Sequence, residues 1–357
     1  MKSKKKIIMG LLAAVILAGA VITAPVVPFS VKAASETQPL SETQSLSETG
    51  KDIVVVIDPG HGGSNIGGQI PGLDEKNATL ITALAMKEEL EKYEGIAVYL
   101  TRYDDSELSL AQRPQMAAAV GADFFFSLHY NKAVPNRLYG AEVWIPSLGE
   151  GYSKGYACGD LILNELCDGY GLYRRGIKTK LNNKGTDYYG VIKNATALGI
   201  PSMIIEHCHL DNEEDVPYFN SIEKLQQLGR LDATGVAKYF RLKSSVLGVD
   251  YSDVQSTQIA PPQIPVMQDV TPPEVASIIS AKIENGQIRA VLEGVDMQSG
   301  ILYYDYSLDG GATWSALQRW SSAERRSTVT IPGGGGSLTI RLYNGYDLAA
   351  QSNTVTF

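Results

Sequence analysis

The chain has 357 residues, 44% of them hydrophobic and 20% charged, and a formal net charge of −8. That length and apolar content suffice for one buried core and leave room for a second. An acidic chain without basic blocks beyond its first residues argues against nucleic acid as a partner. Its three cysteines, Cys158, Cys167 and Cys208, are too few and too odd in number for a disulfide scaffold.

The N-terminus places Lys2, Lys4, Lys5 and Lys6 before a long apolar run and then small residues in "VKAAS". This pattern predicts a secretory signal over residues 1–34, cut near Ala33 or Ala34, and hence a secreted, extracellular or cell-wall-associated protein. The alternative is an uncleaved membrane anchor, since the run from Ile7 to Phe29 approaches the length of a span. Pro25 and Pro28 interrupt its far end and favour cleavage. Removing the segment's five lysines, with no acids, moves the formal charge from −8 to −13. Residues 35–50, "SETQPLSETQSLSETG", repeat Ser-Glu-Thr without bulky side chains and predict a disordered spacer.

Residues 51–245 alternate short apolar runs ("IVVVID", "IAVYLTR", "DFFFSLHYN", "AEVWIPS", "PSMIIEH") with amphipathic stretches. That spacing predicts an α/β unit: a mostly parallel or mixed sheet flanked by helices. Cys158 and Cys167 fall on one predicted helix, on opposite faces and about 13 Å apart along its axis, so they read as buried free thiols. Residues 246–272, rich in proline and polar residues, read as a linker. Residues 273–357 lose the helical period and alternate as short strands around Asp309-Gly310-Gly311, a hairpin signal. A module of this length predicts an all-β sandwich of immunoglobulin-like type, with Tyr303, Tyr304, Tyr306, Trp314 and Trp320 mostly as core.

Chemistry concentrates at strand ends. "DPGHGG" follows the first strand and delivers His61 to the carboxyl edge, where ligands collect in parallel sheets. His129 ends "DFFFSLHYN" and reaches the same edge; by period two it shares a face with Phe125 and Ser127. Two histidines at equivalent strand ends point to a metal, and a catalytic zinc takes three protein ligands with one position left open. The third donor falls to an acid at the start of the next helix, Glu75 or its neighbour Asp74. A second apparent metal motif is "EHCH", in which His207, Cys208 and His209 follow Glu206. Period two puts His207 and His209 opposite Glu206 if the strand continues, and both then pack beneath the site.

Taken together, "VVIDPGHGG", "EKNATL", "VYLTRYDD", "LSLAQRPQMA", "FFFSLHYN", "GAEVWI", "RRGIKT" and "PSMIIEHCHLDN" resemble, in order, the zinc-dependent N-acetylmuramoyl-L-alanine amidases, over residues 52 to 243. The resemblance implies hydrolysis of the amide between N-acetylmuramic acid and L-alanine in peptidoglycan. It implies Zn2+ on His61, Glu75 and His129, and Glu206 as the catalytic carboxylate. Alternatives are a zinc peptidase cutting within the stem peptide and a catalytically silent wall-binding protein. Residues after Glu206 depart from the family pattern, so His207 and His209, with Asn131, stand as candidate substrate contacts. Tyr130 replaces a small residue and is expected to narrow the pocket; Arg102 and Arg113 are expected to pair with nearby acids. The C-terminal module is assigned a cell-wall or protein partner by its position alone.

Overall fold

The computed structural model describes residues 52–133, 137–321, 324–333 and 336–357. The expected signal segment 1–34 and spacer 35–50 lie outside them. Strand and helix alternate as β1 (Ile53–Pro59), a two-residue hairpin β2 (Gln69–Ile70) and β3 (Leu73–Asp74), α1 (Glu75–Leu90), β4 (Ile96–Leu100), α2 (Gln112–Ala119), β5 (Phe124–Asn131) and β6 (Ala141–Trp144). There follow α3 (Gly149–Leu163), β7 (Arg174–Lys178), α4 (Gly190–Ala197), β8 (Ser202–His209) and α5 (Ile222–Tyr239). A short ladder of β9 (Lys243–Ser244) and β10 (Val249–Asp250) closes this part.

Six strands form one sheet in the order β4-β1-β5-β8-β6-β7. All neighbours run parallel except β6 and β8, so the sheet is mixed. Period two sorts the run Phe124-Phe125-Phe126: Phe124 and Phe126 join Val55, Ile57, Met203 and Ile205 beneath α1 and α5, whereas Phe125 joins Val56, Ile204 and Trp144 beneath α2 and α4. Each of these phenylalanines is almost fully buried, contributing on the order of 1.5–3 kcal/mol by removal of apolar surface from water. Helix α5 is fixed at its start by Ser221, whose hydroxyl accepts from the Lys224 amide at 3.2 Å. Because β1, β5 and β8 are parallel, their carboxyl ends share one edge of the sheet.

Residues 246–272 lie along the α/β unit and bond to it. The Val266 amide donates to Ser147 O at 2.8 Å, and the Leu181 amide to Gln268 Oε1 at 2.9 Å. Beyond them stand β11 (Val275–Glu284), β12 (Gln287–Val295), β13 (Ile301–Ser307), β14 (Gln318–Arg319), β15 (Arg326–Pro332), β16 (Ser337–Asn344), β17 (Ala349–Gln351) and β18 (Val355–Thr356). They form an all-β sandwich: β11-β12-β15 is one sheet, and β14-β13-β16-β17, with β18 on β16, is the other. Ile288, Leu292 and Ile331 of the first sheet share one core with Leu338, Ile340 and Leu342 of the second. Trp320 and Tyr304 belong to that core, as expected.

Tyr303 does not. It turns towards the α/β unit, is fully buried with Tyr139, Leu317 and Tyr343, and its hydroxyl donates to Tyr139 O. No helix among the described residues is long and apolar enough to cross a membrane. All three cysteines are buried and unpaired; Cys158 lies on α3, and Cys167 on the π-helical turn Asn164–Gly169 that continues it.

Candidate metal centre and active site

The loop after β1 is held from below by two buried arginines. Arg113 pairs with Asp58 at 2.8 Å and donates to His61 O at 2.7 Å. Arg102 was expected to find an acid, but its guanidinium instead meets carbonyl oxygens, those of Pro59 at 3.0 Å, Gly60 at 2.8 Å and Lys76 at 2.9 Å. These contacts sustain His61 at a φ of 63°, a left-handed conformation rare for a histidine. A Cβ on Gly60 would lie 2.3 Å from the His129 ring, so only glycine lets that imidazole lie over the loop.

His61, Glu75 and His129 meet at this edge, their ligand atoms all within 4.8 Å of one another. Glu75 Oε1 stands 3.0 Å from both His61 Nε2 and His129 Nδ1. The amides of Tyr130 and Gly68 donate to the two oxygens of the same carboxylate at 3.0 and 2.7 Å. Asp74, the rival acid, instead accepts from Gln69 Nε2. Burial alone would raise Glu75, but the two imidazoles beside it hold it below the usual carboxylate range. Burial opposes protonation of His61, yet the hydrogen bond and charge of Glu75 outweigh it and raise its pKa.

The residues present fit a divalent cation. Asn65 Oδ1 occupies His61 Nδ1 at 2.9 Å, fixing the ring so that Nε2 faces the other two donors. One carboxylate and two imidazoles make a nitrogen and oxygen donor set with three protein positions.

Glu206 sits opposite His129 in the β5–β8 register and shares a face with Ile204. Its Oε2 is buried with no hydrogen-bond partner among the described residues. Burial, with the charges of Glu75 and Glu142 added, pushes the carboxyl well above the usual range. A buried carboxylate oxygen without a partner is costly and calls for a functional reason.

The remaining candidates separate. Register slips between His129/Asn131 and Glu206/His209, where β8 carries one extra residue against β5. Past this bulge the alternation is reset. His207 stays beneath the site: it is fully buried, its Nε2 pairs with Asp232 Oδ2 at 2.7 Å, its Nδ1 donates to His129 O at 3.0 Å, and it stacks on Tyr130. It is therefore not placed to touch substrate. Tyr130 bonds Thr82 below the sheet and does not narrow the pocket. His209 instead lines a cavity of about 250 Å3 with Asn131, Glu142, Trp144 and Tyr189, contrary to the packing role expected from period two.

Glu142, Arg175 and Lys178 escaped the reading of the sequence. Glu142 Oε1 accepts from Asn131 at 2.9 Å and Trp144 at 3.1 Å, and Oε2 from Arg175 at 2.8 Å and Lys178 at 2.7 Å. The available signal was an acid inside the apolar run "AEVWI" and two bases in "RRGIKT", since charges are fully buried only when paired.

A candidate cation site beside a carboxylate oxygen left without a partner is an arrangement suited to activating water, and it points to the hydrolase class. The family model described as N-acetylmuramoyl-L-alanine amidase matches residues 55–238, just over half of the chain, and the chain belongs to that family. The N-acetylmuramoyl-L-alanine amidase CwlM of Bacillus licheniformis is 32% identical over 195 residues, covering 54% of this chain and 71% of that protein. A sporulation-specific N-acetylmuramoyl-L-alanine amidase of Bacillus subtilis (strain 168) is 31% identical over 195 residues, covering 54% and 70%. Among solved structures, the catalytic domain of CwlV from Bacillus (Paenibacillus) polymyxa var. colistinus is 28% identical, covering 54% of this chain and 99% of that one, with a TM-score of 0.46.

Proposed function

We propose that the chain is a secreted, zinc-dependent enzyme that cleaves the amide between N-acetylmuramic acid and L-alanine in peptidoglycan. Its catalytic unit spans residues 51–245, joined through 246–272 to the sandwich at 273–357. His61, Glu75 and His129 hold the zinc, and Glu206 is the base. One observation carries the reading: the unpartnered Oε2 of Glu206 lies in a strand whose register partner is a member of the donor cluster.

When bound, the cation supplies Lewis acidity for the attacking water and the scissile carbonyl. Glu206 takes the proton that water loses as its oxygen bonds to the carbonyl carbon. It returns that proton to the leaving nitrogen as the C–N bond breaks, so the products are the muramic carboxylate and a free L-alanine amino group. Asn131 is oriented for substrate by its bond to Glu142, and His209 faces the same cavity.

The test incubates the mature chain with purified peptidoglycan. New L-alanine amino termini with intact glycan are expected. New amino groups elsewhere in the stem would favour a peptidase, and no product despite stoichiometric zinc would favour a silent wall-binding protein. Sequencing the N-terminus of protein collected from the medium tests secretion, with a start at residue 34 or 35 expected.

A further inference from the structure

The cavity beside Glu142 has walls from both parts of the chain. Trp144, Lys180, Tyr189 and His209 come from the α/β unit, while Tyr346 and Asp347 come from the turn between β16 and β17. That turn is pre-formed. Buried Asn344 accepts from the amides of Tyr346 and Leu348 at 3.0 Å each, and Asp347 is held at a φ of 66°. It is also fastened to the α/β unit: the Tyr346 hydroxyl donates to Thr179 O and accepts from the Thr179 amide, both at 3.1 Å. Asp347 receives buried Arg175 on both oxygens, at 3.1 and 2.8 Å. Arg175 thereby bridges the sandwich to Glu142, the cross-strand neighbour of Glu206.

Glu142 and Asp347 engage Arg175 and Lys178, but they leave Lys180 on the cavity wall without an acid in hydrogen-bonding contact. Lys180 has no carboxylate partner among the described residues and lies over the Tyr188 ring at 4.3 Å. His209 also lines the cavity, and its Nδ1 is buried without a hydrogen-bond partner, 3.8 Å from Asp215 Oδ2. Around them stand aromatic walls, with Trp144 5.1 Å from Tyr189 and 6.1 Å from Tyr346. A pocket of this make-up suits a ligand with an extended body and an anionic end.

We propose that the Asn344–Leu348 turn of the sandwich completes a substrate subsite, in which Lys180 and His209 receive a carboxylate of the peptide stem while Trp144 and Tyr346 flank its backbone. This rests on the peptidoglycan reading and adds to it which part of the substrate the second module meets.

The experiment measures binding of two synthetic peptides to the full mature chain by calorimetry. One begins with L-alanine and carries free carboxylates; the other has those carboxylates amidated. Wild type is expected to prefer the acid form by about tenfold, the scale of one charge-assisted hydrogen bond. Lys180→Gln, on a half-buried side chain, should abolish the preference, and Tyr346→Ala should weaken both peptides by about the same factor. Equal binding of the two peptides by wild type, or a preference that survives Lys180→Gln, would overturn the subsite. Cleavage of a muramyl peptide is followed in parallel. Cleavage without peptide preference removes the subsite and leaves the amidase reading; preference without cleavage at the muramyl-alanine bond does the reverse.

Discussion

Glu142 and Glu206 face each other across the antiparallel β6–β8 pair, yet one carboxylate accepts from four donors while an oxygen of the other has none. Burial would raise both. The charges of Lys178 and Arg175 reverse the effect for Glu142 and hold it below the usual carboxylate range, whereas Glu206 stays raised. Two acids one strand apart are thus driven in opposite directions, the usual mark of a division between a structural and a reacting group.

Glu206→Gln keeps the shape of the side chain but removes its ability to take a proton. Turnover should fall by roughly 10²–10⁴, the range of general-base catalysis, with bound metal unchanged. Activity near that of wild type in a variant carrying full metal would remove Glu206 from the mechanism.

His61→Ala deletes one of three donors and should lose stoichiometric metal, measured by elemental analysis, whereas His209→Ala should retain it. Chelation should also lower the Tm of wild type, because a ligand bound to the native state alone stabilises it. Equal metal loss in the two variants would refute the donor set.

Glu142 predicts an acid dependence of stability. Its folded pKa lies below its unfolded one, so its contribution is complete above the ordinary carboxylate value of about 4.3 and is lost as the pH falls below it. Glu142→Gln should flatten the Tm-against-pH curve in that window. It should also cost about 3–5 kcal/mol near neutrality, since Arg175 and Lys178 lose their common buried counter-ion. An unchanged acid slope would show that other groups carry it.

His207 donates from Nδ1 to His129 O and pairs through Nε2 with Asp232, which is itself fully buried. Burial disfavours the charged ring, but the Asp232 carboxylate outweighs it and raises His207. His207→Phe should therefore destabilise the fold by about 3–5 kcal/mol by leaving a buried carboxylate unpaired, and adding Asp232→Leu should recover much of the loss. Denaturant unfolding of the two variants decides it; equal losses would mean the pair is not coupled.

The legible parts of the site were those that depend on short stretches. Period two placed Glu206 on the face of Ile204 and His129 on that of Ser127, and both reached the expected edge. The same rule failed at His209, because a single extra residue between Glu206 and His209 resets the alternation of β8. It was silent about Glu142, whose partners come from β5, from β7 and from its own strand two residues on. Tyr303 read as sandwich core because alternation says which side chains turn inward, not which neighbouring unit they meet.

Composition, motif order and strand-end chemistry determined the α/β unit, the all-β module and the cluster of His61, Glu75 and His129 with Glu206. Those features follow from local periodicity and from the identity of groups that bind cations. Only the tertiary structure decided that β6 enters the sheet antiparallel between β8 and β7, bringing Glu142 beside Glu206, and that the Tyr346–Asp347 turn closes the cavity next to them. Such pairings depend on register and on contacts between residues more than 170 positions apart, as for Arg175 and Asp347. Their energy comes from burying and matching charges across elements, which no local pattern encodes.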